Sequence, residues 1–101
     1  MNEGTAEKTI YKDALDTWGE NAQLDVAIEE MSELIKEIIK FKRGIGDKAH
    51  MSEEIADVTI MLEQIIQMFK LEEEVTQQKN YKLIRLQNYL EKIKLGKYNE
   101  K

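Results

Sequence analysis

The sequence predicts an all-α fold of four main helices in a single bundle, and three observations carry that reading. Proline is absent. The five glycines stand at 4, 19, 44, 46 and 96, where helices would break. Between them, apolar residues recur at i, i+3, i+4 and i+7, the signature of amphipathic helices. Strand content is expected to be near zero, and there is no internal repeat or low-complexity linker.

The first helix is expected over 5–18. Ile10, Leu15 and Trp18 supply its apolar positions, Thr5 its N-cap and Gly19 its stop. The second is expected over 21–43, opened by Asn21 and closed by Arg43 and Gly44. Its stripe is Leu24, Ile28, Met31, Leu34, Ile35, Ile38 and Phe41. The segment GIGDKAHM, 44–51, reads as a loop. Ser52 then reads as an N-cap, because Glu53 and Glu54 follow where the helix dipole favours anions. The third helix carries Ile55, Val58, Met61, Leu62, Ile65, Ile66 and Phe69. No glycine or proline marks the turn at 70–74. The fourth carries Val75, Leu83, Ile84, Leu86, Leu90 and Ile93 and is expected to end at Gly96.

The 101 residues suggest one domain, 1–101, with frayed ends near 1–5 and 96–101. A chain this short buries only about 60–65% of its unfolded surface, so self-association is expected to help it. Hydrophobic residues at 42% and charged residues at 35% suit a globular chain, not a disordered one. The net charge of −5 argues against a nucleic-acid or anionic-membrane partner, both of which want a basic face. The absence of cysteine excludes disulfides, zinc thiolates and a cysteine nucleophile. No apolar run reaches membrane-spanning length. The first residues, MNEGTAEKTIYKD, lack a signal-peptide core, so a cytoplasmic protein is expected.

The chemistry concentrates in IEEMSELIKE, residues 28–37, and in the third helix. At about 100° per residue, Glu54 falls inside the apolar stripe of that helix and Asp57 on its edge. Glu30 borders the stripe of the second helix, Glu33 lies further round and Glu29 is on the other flank. Taken singly, Glu54 could be first-turn decoration, and Glu30 and Glu33 a solvated face. Together they form E-x-x-E on one helix and E-x-x-D on the next. Antiparallel packing would bring four carboxylates together, which repel unless a cation lies between them. Hard oxygen ligands without histidine or cysteine suit Mg²⁺, with Mn²⁺ as a substitute. A di-iron bundle would need Glu-x-x-His on two helices. The one histidine, His50, has Asp47 at i−3 and reads as a loop or helix-start residue.

Glu29-Glu30-x-x-Glu33, followed some twenty residues on by Glu54-x-x-Asp57, resembles the MazG-like all-α nucleoside triphosphate pyrophosphohydrolases. That superfamily also includes dimeric dUTPases and phosphoribosyl-ATP pyrophosphohydrolases. The surrounding words WGENAQLDVAIEEMSELIKEIIKFKRG, EEIADVTIMLEQI and NYKLIRL are similar to it too, so the resemblance spans about residues 10–95. It implies a Mg²⁺-dependent reaction that converts an NTP or dNTP to its monophosphate and pyrophosphate, cleansing the nucleotide pool. It implies Glu30, Glu33, Glu54 and Asp57 as metal ligands, with Glu29 supporting them or orienting water. It also implies a homodimer or homotetramer.

Substrate contacts are expected elsewhere. The resemblance gives phosphate contacts to basic residues after the E-x-x-D helix, here Lys82 and Arg85, with Asn80 beside them. Trp18 could stack on a base and Gln23 could read its edge. The plainer readings are snorkelling cations at Lys82 and Arg85, core packing for Trp18 and a surface position for Gln23. Against the enzyme stands a catalytically silent helical binding or regulatory module of the same fold. All four acidic positions being filled favours the enzyme.

Overall fold

The computed structural model describes residues 3–99, with side chains over 4–96. Four helices occupy them: α1 (Glu3–Trp18), α2 (Glu20–Lys42), α3 (Lys48–Met68) and α4 (Glu72–Asn99), with no strand among the described residues. They fall into two units. Met1–Lys70 holds α1 to α3, and Leu71–Lys101 holds α4. Helix extends beyond the expected frayed ends, over 3–5 at the start and 96–99 at the end. The rest of those ends, 1–2 and 100–101, lies outside the described residues.

Local chemistry explains each boundary. Gly19 separates α1 from α2 by itself. Its N–H donates to the Leu15 carbonyl at 2.8 Å, and its φ of +87° suits a residue without Cβ. α2 therefore begins at Glu20, with Gly19 and not Asn21 as its N-cap. At the other end Gly44, at φ +77°, donates to the Phe41 carbonyl, while Ile45 and Gly46 both donate to that of Lys40. A Cβ on Gly46 would lie 2.9 Å from the Phe41 backbone nitrogen, so this tight reversal needs glycine there.

α3 starts five residues earlier than the Ser52 cap would place it. Asp47, in extended backbone, accepts from the His50 N–H at 2.7 Å and is the N-cap. Ser52 sits inside the helix and donates back to the Lys48 carbonyl at 2.8 Å. The turn that the sequence left unmarked is made by Lys70, which takes the left-handed conformation at φ +56° without being glycine. In the second unit, Glu72, Glu73 and Glu74 fill the first turn of α4, where the dipole favours anions.

α2 and α3 form a hairpin over the short connection 43–47. Glu30 meets Asp57 and Glu33 lies near Glu54, so the two helices run antiparallel. That register sets Ala27 opposite Ile60 and Met61, and Gln23 opposite Gln64. Among the described residues Ala27 and Met61 are the buried apolar ones, and the small Ala27 lets the helices approach closely. α1 is tied to the C-terminal half of α3 at two points. The Tyr11 hydroxyl donates to Glu63 Oε2 at 2.5 Å, and Gln67 Nε2 donates to the Lys8 carbonyl at 2.9 Å.

The packed faces differ from the expected stripes. On α2 the covered positions are Ala22, Gln23, Leu24, Ala27, Glu30, Glu33, Leu34 and Glu37, while Ile28 and Ile35 remain 62% and 58% exposed. On α3 the covered positions include Glu54, Val58, Met61, Gln64 and Ile65, and Leu62 and Phe69 are exposed. The contact face of α2 is turned by roughly a quarter of the helix circumference toward its acidic edge, and that of α3 by less, since Val58, Met61, Ile65 and Ile66 stay covered. Two carboxylate-bearing flanks thus face each other, and part of each apolar stripe is left outside the hairpin.

Candidate functional site

The hairpin register brings the carboxylates together. One carboxylate oxygen from each of Glu30, Glu54 and Asp57 lies within 4.8 Å of the other two. Glu30 comes from the middle of α2. Glu54 and Asp57 sit three apart on one face of α3, so a single antiparallel contact suffices to assemble the group. Glu30 and Glu54 are half-buried and Asp57 is exposed, which leaves the group an open side.

The electrostatics are those of uncompensated negative charge. Burial, the Asp57 charge and a carboxyl–carboxylate hydrogen bond to Asp57 push Glu30 above the ordinary glutamate range, with smaller contributions from Glu54 and Glu29. Burial pushes Glu54 up too, followed by repulsion from Asp57, Glu33, Glu37 and Glu53. Glu54 Oε2 is closed off from solvent and has no hydrogen-bond partner. A buried carboxylate oxygen without a donor is costly.

These three carboxylates could hold a hard divalent cation. Three carboxylates supply only oxygen, and the donorless Oε2 of Glu54 wants a positive charge beside it. Repulsion among the carboxylates would turn into attraction around such an ion.

The remaining expected residues are placed unevenly. Glu33 lies near enough to repel Glu54 but stands outside the three-carboxylate group, with Lys36 Nζ 3.9 Å from its Oε1. Glu29 is exposed and acts on Glu30 only through its charge. Gln23 is not on the surface. It is 5% exposed, on the same face of α2 as Glu30 and two turns toward the N-terminus. Trp18 is not core. It ends α1 at 66% exposure, because the chain reverses immediately after it at Gly19. In the second unit, Lys82 and Arg85 line one groove of α4 with Leu86 and Tyr89, and the Arg85 guanidinium lies 5.8 Å from the Tyr81 ring centroid. Asn80 points about 160° away from Lys82 around the helix and does not share that groove.

Three residues escaped the sequence reading. Glu37 is half-buried, and its charge raises the Glu54 pKa. Its position seven residues after Glu30 puts it on the same face, which the periodicity could have revealed. Gln64 is 8% exposed, in a position that reads as a polar interruption of the apolar stripe. Tyr11 holds α1 to α3 through Glu63, a long-range pairing with no local signal.

No family model, curated protein or solved structure matches the chain.

Proposed function

We propose that this chain is a Mg²⁺-dependent nucleoside triphosphate pyrophosphohydrolase that releases a nucleoside monophosphate and pyrophosphate. The observation that carries the reading is the convergence of Glu30, Glu54 and Asp57 within 4.8 Å, with Glu54 Oε2 left without a partner. These residues occupy the motif positions on which the resemblance to the MazG-like pyrophosphohydrolases rests.

Glu30, Glu54 and Asp57 are the residues that would hold the cation, and Glu33 completes the acidic set beside Glu54. When bound, Mg²⁺ supplies Lewis acidity toward phosphate oxygens and lowers the pKa of coordinated water. Glu29, exposed on α2 and near enough for its charge to act on Glu30, supports these residues or helps to orient the attacking water. The water oxygen forms the new P–O bond to the nucleoside-bearing phosphorus, and the bond to the departing pyrophosphate breaks. Lys82 and Arg85, with Asn80 as a weaker candidate, are assigned to the phosphates. No covalent enzyme intermediate is required, consistent with the lack of cysteine.

The four helices belong, in this reading, to a MazG-like bundle that self-associates as a homodimer or homotetramer. Ile28 and Ile35, left outside the hairpin, supply an apolar face for a second copy. No helix among the described residues is long and apolar enough to cross a membrane, and a cytoplasmic setting, where the nucleotide pool lies, is part of the proposal.

The test is a panel of canonical and modified NTPs and dNTPs incubated with the protein, with products separated by ion exchange. Monophosphate and pyrophosphate in equal amounts support the reading. Diphosphate and orthophosphate as products would overturn it in favour of a different phosphohydrolase, and no turnover of any member would overturn it in favour of the silent binding module.

A further inference from the structure

A cleft of about 300 Å³ lies between α1 and the C-terminal half of α3. Tyr11, Leu15, Gln64, Gln67 and Met68 are among its walls. The two ties between these helices, Tyr11 to Glu63 and Gln67 to the Lys8 carbonyl, hold it open as a preformed gap. Its lining combines an aromatic ring, an aliphatic side chain and a thioether with two amides, and Lys12 and Lys70 complete it, a mixture of apolar walls and a few polar groups that suits a small-molecule site.

Gln64 is the informative wall. Its side chain is more than nine-tenths buried. Its Nε2 donates to Met61 Sδ at 3.2 Å, and its Oε1 has no partner. The thioether only accepts, so the NH₂ end of the amide belongs toward Met61 and the carbonyl end is the free one. A buried carbonyl without a donor is destabilising. Oε1 is itself closed off from solvent, but the terminal torsion of glutamine is soft, so a rotation that gives up the weak Met61 contact brings this oxygen to a ligand N–H in the cleft.

Position adds the second constraint. Gln64 stands seven residues after Asp57, on nearly the same face of α3 and about 10 Å further along its axis. A sugar and its first phosphate bridge a separation of that order.

We propose that this cleft receives the nucleobase of the substrate, with Gln64 Oε1 accepting one of its N–H groups and Tyr11, Leu15 and Met68 enclosing the ring. That the ring is a nucleobase rests on the pyrophosphohydrolase reading. The cleft, its free acceptor and its distance from the carboxylates do not.

The experiment titrates free adenosine, guanosine, cytidine, uridine and thymidine into the full chain in EDTA, followed by NMR. Without metal or phosphate, any binding is independent of the carboxylate group. At least one nucleoside should shift the Gln64 side-chain amide and the Tyr11 ring. Gln64→Leu should weaken that binding about tenfold, the loss of one buried hydrogen bond. Leu15→Trp, which fills the cleft from the opposite wall, should abolish it with the helical signal unchanged. If no nucleoside moves these resonances, or if binding ignores both substitutions, the proposal falls. Pyrophosphate release whose KM is unaltered in Gln64→Leu also overturns the cleft, yet leaves the hydrolase reading standing. Gln64-dependent nucleoside binding without pyrophosphate release supports the cleft and removes the hydrolase.

Discussion

A carboxylate oxygen of Glu30 on α2 lies within 4.8 Å of one of Asp57 on α3, across the antiparallel hairpin. Two carboxylates this close repel each other unless a cation lies between them. Glu54 completes the group with an oxygen that has no donor. The fold therefore holds repulsion at one point, and the following predictions concern what relieves it.

Divalent cations should stabilise the protein. An ion that binds only the folded state, at about one hundred times its Kd, adds about 2.7 kcal/mol. Thermal unfolding with and without Mg²⁺ measures this. The melting temperature should rise with Mg²⁺ or Mn²⁺ and stay flat in Glu54→Gln. A silent scaffold without a metal site would be indifferent.

Metal-free stability should depend on pH with a definite sign at this site. Glu30 and Glu54 have folded-state pKa values above those of the unfolded chain. The folded state therefore binds protons more tightly. The associated stabilisation is fully present below the ordinary glutamate pKa and is lost as pH rises through the raised folded values. In EDTA, wild type should lose more stability than Glu54→Gln over that interval. Parallel pH profiles of the two proteins would contradict the assignment of mutual repulsion.

The Tyr11 tie should be measurable in the same way. Tyr11→Phe removes the hydrogen bond to Glu63 and keeps the ring, at a cost of about 1 kcal/mol for a part-buried bond to a carboxylate. The melting temperature should fall by about 5 °C. An unchanged value would mean that α1 is held by its apolar contacts alone.

The uncovered face of α2 should govern association. Ile35→Lys, at a position 58% exposed, leaves the hairpin contact untouched and places a charge on the face assigned to a second copy. Light scattering should show a smaller species than wild type at equal concentration. Identical masses would place the interface elsewhere.

Much of this was legible in the sequence. Gly19 and the Gly44–Gly46 turn mark where α1 and α2 stop, and the apolar periodicity gives four helices. The E-x-x-E and E-x-x-D pairs identify which carboxylates could meet. The hairpin register was not legible. The strongest apolar stripes pointed to Ile35 and Leu62 as contacts, whereas the small Ala27 and the length of Met61 allow a closer approach on the acidic side. That rotation turns Glu30 and Glu37 toward α3 and buries Gln23 and Gln64. The cap at Asp47 was hidden by the better-looking Ser52, and the turn at Lys70 carries no residue that announces a positive φ.

The most direct measurement is pyrophosphate release from an NTP and dNTP panel by wild type and Glu54→Gln, side by side, in Mg²⁺ and in EDTA. Glu54→Gln keeps the shape of the side chain and removes one repelling charge, so it should fold at least as well as wild type without metal. The account predicts release by wild type only in Mg²⁺, and a loss of at least about a hundredfold in Glu54→Gln, as expected when a transition-state charge loses its support. Full activity in Glu54→Gln, or release that persists in EDTA, would contradict the assignment of these carboxylates to the reaction.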